Sequence, residues 1–208
     1  MHPEILEWPQ KSALALLARA PIPPGIYLAG GTALALHLAH RRSVDLDFFS
    51  QEPFESESLL GLLRRIGDIR VERSEPGTFR GQLAGVQISF IRYEYPVLDP
   101  PIKFEFGPGI AGIRDIASMK LSAIMGRGSR RDFVDLYAVC QHGHEMEEVY
   151  GWFRLKYRGI SYDPYHLAKS LVYFVDAEKE PLPVMLWPCH WDDVKAFFVR
   201  ESQRVFST

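Results

Sequence analysis

The chain has 208 residues, 47% of them hydrophobic and 24% charged, a globular balance that excludes a disordered, collagen-like or coiled-coil protein. It is long enough for one domain or two small ones. Its 24 Lys and Arg against 26 Asp and Glu give a formal charge of -2, so any contact with nucleic acid must come from a local patch. Cys140 and Cys189 lie far apart and fit no metal-ligand spacing; they read as reduced thiols of a cytoplasmic protein. Glu4 and Glu7 stand where an export signal needs a basic region, and the apolar runs fall short of the roughly 18 residues of a membrane helix. Neither export nor a membrane partner is expected.

Ser12 to Ala20 has high helix propensity and stops against Pro21, Pro23, Pro24 and Gly25. Ile26 to Ala29 is a short apolar run closed by Gly30 and Gly31, and Thr32 to His40 reads as a helix with Leu34 and Leu38 one turn apart. Val44 to Phe49 alternates with the period of a strand. Leu59 to Ile66 suits a helix, and strands are expected at Ile69–Arg73, Thr78–Leu83 and Val86–Arg92, punctuated by Pro76-Gly77 and Gly85. Beyond Asp115 the pattern is helical: Asp115–Met125, Asp132–Cys140, Met146–Tyr157, Tyr165–Val175 and Asp192–Arg204. The expected organisation is a sheet domain over 1–110 and a helical part over 111–208, with the two halves free to share one core.

Acid-x-acid pairs are common in so acidic a chain, and most sit in polar or helical surroundings where a solvated face explains them. Asp45 and Asp47 lie instead in an apolar strand. Alternation turns both carboxylates to one face, and two like charges so close call for a cation. Mg²⁺ accepts one or two carboxylates when substrate phosphates complete its shell. Gly30-Gly31-Thr32 offers the other half, glycines that admit a ligand to the backbone and a helix N-terminus that favours an anion. Taken alone it reads equally as a tight turn with Thr32 as cap. The order of turn, helix and Asp-x-Asp strand brings the two features to the same end of neighbouring strands.

Gly30-Gly31-Thr32-Ala33-Leu34 followed by His40 to Phe49 resembles the Gly-Gly, spacer, Asp-x-Asp signature of the nucleotidyltransferase superfamily, in particular its AbiEii/AbiGii toxin branch. A second block, Ala117-Ser118-Met119-Lys120-Leu121 through Arg131-Asp132-Phe133-Val134-Asp135-Leu136-Tyr137, is similar to a motif of the same branch. The resemblance implies an α+β fold: a polymerase-beta-like nucleotidyltransferase mixed sheet with flanking helices and a helical C-terminal part. It implies that Gly30, Gly31, Thr32, Lys120 and Arg131 bind the NTP, that Asp45 and Asp47 hold Mg²⁺ and serve catalysis, and that Lys120, Asp132 and Asp135 complete the catalytic pocket. It further implies a toxin that transfers a nucleotidyl group to an RNA hydroxyl, such as that of a tRNA, and is countered by a cognate antitoxin protein.

The sequence departs from the superfamily pattern at one place. A later strand commonly carries a third carboxylate, whereas Val86 to Arg92 offers only Gln87 and Ser89 on its open face, neither of them a general base at neutral pH. Asp132, Asp135 and Glu94 are the available substitutes. The rival reading is a catalytically silent nucleotide-binding or partner-binding module. Lys120, on an apolar helix, needs an anionic partner, which a carboxylate or a phosphate can supply. Asp132 also reads as part of a helix cap beginning at Ser129. His37 and His40 are spaced to share a metal but lack a third ligand, and read as packed or exposed side chains. Arg41-Arg42, Arg64-Arg65 and Arg127/Arg130/Arg131 are the clusters available to RNA phosphate.

Overall fold

The computed structural model describes residues 1–206. Helix α1 (Trp8–Ala18) begins before the expected Ser12, because Pro9 is tolerated in a first turn and the Glu7 and Gln10 side chains close a reciprocal cap. Strand β1 (Ile26–Ala29) passes directly into α2 (Gly30–Leu38). Then come β2 (Leu46–Ser50), α3 (Ser56–Ile66), β3 (Ile69–Glu75), β4 (Thr78–Leu83) and β5 (Val86–Arg92), the last two with the bounds their alternation predicts. Strand β2 starts at Leu46 rather than Val44, leaving Asp45 in the segment just ahead of it.

Strands β6 (Ile102–Phe104) and β7 (Gly107–Ile110) complete a seven-stranded mixed sheet in the order β3-β4-β5-β2-β1-β7-β6. Neither strand is expected from the sequence: one is three residues long, and the other reads Gly-Pro-Gly-Ile, a turn composition. Strand β2 runs parallel to β5 and antiparallel to β1, with Asp47 opposite Ser89 on one side and Ala29 on the other. Strand β4 runs antiparallel to β5 and sets Arg80 opposite Ser89.

Alternation gives the sheet two unlike faces. Leu46, Phe48, Phe79, Leu83, Ile88 and Phe90 are buried on one, where the Phe48 and Phe90 rings stack at 4.8 Å and α1 and α3 pack. The other face carries Asp47, Phe49, Arg80, Ser89 and Ile91 and lines an open cleft.

The C-terminal helices are α4 (Ile113–Gly126), α5 (Arg130–Gln141), α6 (Met146–Lys156), α7 (Pro164–Leu171) and α8 (Trp191–Phe206). Helix α4 packs on α2, α5, α6 and α7. One continuous cluster of buried side chains runs from Phe48 in the sheet through Leu121 in α4 to Phe133 in α5 and Phe198 in α8. The pairing of β7 with β1 carries the chain from the sheet straight into α4. Asp115 of α4 and Lys156 of α6 form a fully buried ion pair at 2.6 Å, and the same carboxylate accepts from the backbone N–H of Leu98 and Asp99. The architecture is α+β, a mixed sheet with flanking helices. Among the described residues no helix is long and apolar enough to cross a membrane.

Candidate active site

The turn between β1 and α2 is built on two close approaches. Gly30 has φ +70°, and a Cβ there would lie 3.0 Å from Asp47 Oδ2; glycine alone meets both conditions comfortably. A Cβ on Gly31 would lie 2.3 Å from Arg41 Nη2 and 3.0 Å from Ser43 Oγ. The first N–H groups of α2 have no partner within the helix and mark the positive end of its dipole, so the turn presents an anion-favouring surface beside the two carboxylates.

Ser89 Oγ donates to Asp47 Oδ1 at 2.6 Å, fixing that carboxylate on the cleft face. Asp45 lies at the same cleft, half-exposed, with Arg131 Nη1 4.0 Å from its Oδ2. Burial and then the charge of Asp47 push the Asp45 carboxyl above its ordinary value, against the weaker pull of Arg131 and Arg41. The Thr32 hydroxyl is buried and donates to the Asp45 carbonyl at 2.5 Å. Thr32 therefore anchors the segment before β2, and its side chain does not line the cleft.

Behind the carboxylates runs a buried ladder of alternating charge. Lys120 Nζ lies 3.0 Å from Asp132 Oδ1 and 2.6 Å from Asp135 Oδ2. Arg41 donates to both oxygens of Asp135, Nε at 2.6 Å and Nη2 at 2.9 Å. His40 Nε2 lies 2.8 Å from Asp135 Oδ1; the carboxylate only accepts, so this nitrogen carries the proton. Burial lowers the His40 pKa despite that partner, which keeps the ring neutral. Arg127 grips Asp132 from the open side, Nε to Oδ2 at 2.8 Å and Nη2 to Oδ1 at 3.1 Å, and Ser129 Oγ donates to it at 2.7 Å. Burial alone would raise both acids. The Lys120 ammonium, with Arg127 at one and Arg41 at the other, reverses this, holding Asp132 at about 2 and Asp135 well below its usual range. The same two carboxylates keep buried Lys120 charged.

Two cavities, about 540 and 270 Å³, meet at Gly31, Asp47, Arg80, Lys120, Arg127 and Asp132. The smaller is polar, walled by Ser43, Asp45, Gln87, Ser89 and Arg131, and the larger is lined on its far side by Phe49, Ile91, Tyr93, Ile116 and Met119. The structure thus brings Gly30, Gly31, Asp45, Asp47, Lys120, Arg131 and Asp132 to one cleft, although Lys120 stands on α4 and Asp132 on α5. Asp135 is set back, wholly buried, and touches the cleft only through Arg41 and Lys120. Glu94 is exposed near Arg92, off the cleft lining. His37 points to the Ala111 carbonyl and His40 to Asp135, so the two do not share a site. Among the described residues no group of three or more His, Cys, Asp or Glu is arranged to hold a metal.

Sequence reasoning missed Arg80 and the apolar wall. Alternation in β4 does set Arg80 opposite Phe79 and Leu83, but only the strand order puts that face beside Asp47. Arg41 and Arg127 read as RNA-contact candidates, whereas here they hold the buried aspartates.

Residues 12–112 match the family model described as "Nucleotidyl transferase AbiEii toxin, Type IV TA system". An uncharacterized protein of Aquifex aeolicus (strain VF5) is 38% identical over 196 residues, which are 92% of this chain and 93% of that one. The solved structure of MenT4, a nucleotidyltransferase toxin of Mycobacterium tuberculosis H37Rv, superposes with a TM-score of 0.62 at 18% identity, covering 96% of this chain and 82% of the other; it shows the same fold. The mixed sheet, the Gly-Gly turn beside Asp47 and these matches together lead to one conclusion: the chain belongs to the AbiEii nucleotidyltransferase toxin family.

Proposed function

We propose that the protein transfers a nucleotidyl group from a Mg²⁺-bound NTP to an RNA hydroxyl, tRNA being the model acceptor, and that a cognate antitoxin restrains it in the cytoplasm. The observation that carries this reading is the contact between the Gly30 turn and Asp47, which sets an anion-favouring helix end against a carboxylate pair. Asp45 and Asp47 fit Mg²⁺, which tolerates two protein carboxylates when phosphates fill the remaining positions. Bound there, the ion offsets phosphate charge and polarises the reacting phosphoryl group.

The chain's own residues supply the rest. Gly30 and Gly31 admit the phosphates to the α2 N-terminus. Arg80, Arg131, Arg127 and Lys120 surround the polar cavity and offset charge developing on the pyrophosphate as it leaves. Asp132 and Asp135 are held ionised by their cations, so they orient Lys120, Arg127 and Arg41 and are poor proton acceptors at neutral pH. The apolar wall of Phe49, Ile91 and Met119 takes the less polar part of the nucleotide.

Ser89, at the register position beside Asp47, favours the second reading, a silent nucleotide-binding module. An assay of label transfer from each of the four NTPs to tRNA, titrated with Mg²⁺, separates them. Metal-dependent labelling that disappears in Asp45→Asn and Asp47→Asn is the expected result; Mg²⁺-NTP binding with no labelling would make the protein a silent module.

A further inference from the structure

The cleft continues past Arg127. Gly126 and Arg127 also line a third cavity, of about 480 Å³, between the C-terminal end of α4 and α7. Its far wall carries His166, Lys169 and Tyr173. Arg127 is therefore shared by the polar cavity, the apolar cavity and this chamber, its side chain 69% exposed while its guanidinium holds Asp132.

The chamber's outer edge has an unusual composition. Helix α7 buries Leu167, Ser170 and Leu171 but leaves Tyr165 66% exposed, and Tyr173, just past the helix end, is 54% exposed. Lys169 lies one turn from Tyr165, its ammonium 4.5 Å from that ring's centroid. A cation on one exposed aromatic ring, with a second exposed ring on the same chamber's edge, suits unstacked bases on a phosphate backbone, whereas a duplex hides its base faces from such rings. The charge agrees: Arg127 and Lys169 face the chamber, and its carboxylate, Asp176, is already paired with Lys179 at 2.7 Å.

We propose that Tyr165, Lys169 and Tyr173 with the adjoining chamber receive the single-stranded end of the RNA acceptor and lead its terminal hydroxyl past Arg127 toward Asp45 and Asp47. That this RNA is the acceptor rests on the nucleotidyltransferase reading, but RNA binding to the strip is measurable without catalysis. Stacking on each ring strengthens binding roughly tenfold, and Lys169 adds a salt-sensitive contact.

The test uses the full chain, a fluorescein-labelled single-stranded RNA of about eight nucleotides and fluorescence anisotropy. Tyr165→Ala/Tyr173→Ala should weaken binding by about 100-fold, and Lys169→Glu should flatten its salt dependence, while Mg²⁺-NTP binding by calorimetry and the melting temperature stay at wild-type values. A 4-thiouridine placed within the single strand, short of its 3′-terminal nucleotide, should crosslink within residues 165–176. RNA affinity indifferent to both tyrosines, no RNA affinity in the wild type, or crosslinks confined to other segments would overturn the proposal and leave the strip as a protein-docking face. Failure of the nucleotide site looks different: wild-type protein would bind RNA through the tyrosines yet show no Mg²⁺-NTP binding.

Discussion

Asp132 shows how a buried acid becomes a scaffold. Lys120, Arg127 and Ser129 hold its pKa at about 2 against burial, below the ordinary 3.8. A carboxyl depressed in the fold contributes stability at pH values above its unfolded pKa and loses it as pH falls through the folded value. That contribution is about 2 kcal/mol. Chemical denaturation between neutral pH and pH 2 should therefore show a loss of this size in the wild type that is absent in Asp132→Asn, which is already destabilised at pH 7; parallel acid profiles would contradict the assignment. Asp45 has the opposite sign. Its carboxyl is raised, so its contribution is lost as pH rises through the folded pKa, and Asp45→Asn should match or slightly exceed the wild-type melting temperature at pH 7. A clear drop on that substitution would mean that Asp45 holds the fold together.

At the scale of elements, the β1–α2 turn and the α4–α5 pair make the cleft. The clash at Gly31 would normally be relieved by the far end of an arginine moving away, but Arg41 is pinned to Asp135 by two hydrogen bonds, and His40 and Lys120 hold the same carboxylate. Gly31→Ala should therefore cost about 1–3 kcal/mol, the range for overpacking a well-filled site, and weaken NTP binding; an unchanged melting temperature would show that Arg41 is free to yield. Much of this was legible in the sequence. Alternation located β4 and β5 to the residue, and the Asp45/Asp47 spacing with the Gly30-Gly31 stop marked the cleft. Strands β6 and β7 were not legible, because β6 is too short to show a period, β7 is fixed by its pairing with distant β1, and Gly107-Pro108-Gly109 carries the composition of a turn. Strand order is likewise a tertiary outcome, and Arg80 beside Ser89 depends on it. The sequence leaves the partner of Lys120 open between carboxylate and phosphate; the fold supplies two carboxylates, and a phosphate would approach the charge from the cleft side.

At the scale of the whole molecule, the sheet and the C-terminal helices meet in one buried cluster, with Leu121, Phe133 and Val134 wholly buried. We propose that residues 1–110 expressed alone lack the cover of α4 and α5 and do not unfold cooperatively, whereas the full chain does so in a single thermal transition; a cooperative transition in the fragment would establish an independent domain. Asp115→Ala, which leaves Lys156 charged and buried, should cost about 3–5 kcal/mol, read as a lowered denaturation midpoint. The proposed site draws on both halves, since Asp45 and Asp47 stand at β2 and the cations lining the cleft come largely from α4, α5 and the turn between them. Isothermal calorimetry of the full chain with each NTP, with and without Mg²⁺, tests that joint site most directly. A joint site binds at least one NTP in a metal-dependent way, lost in Asp45→Asn and Asp47→Asn and weakened in Lys120→Ala, with the two Asn variants still folded. Wild-type affinity in both Asn variants, or equal affinity with and without Mg²⁺, would contradict it.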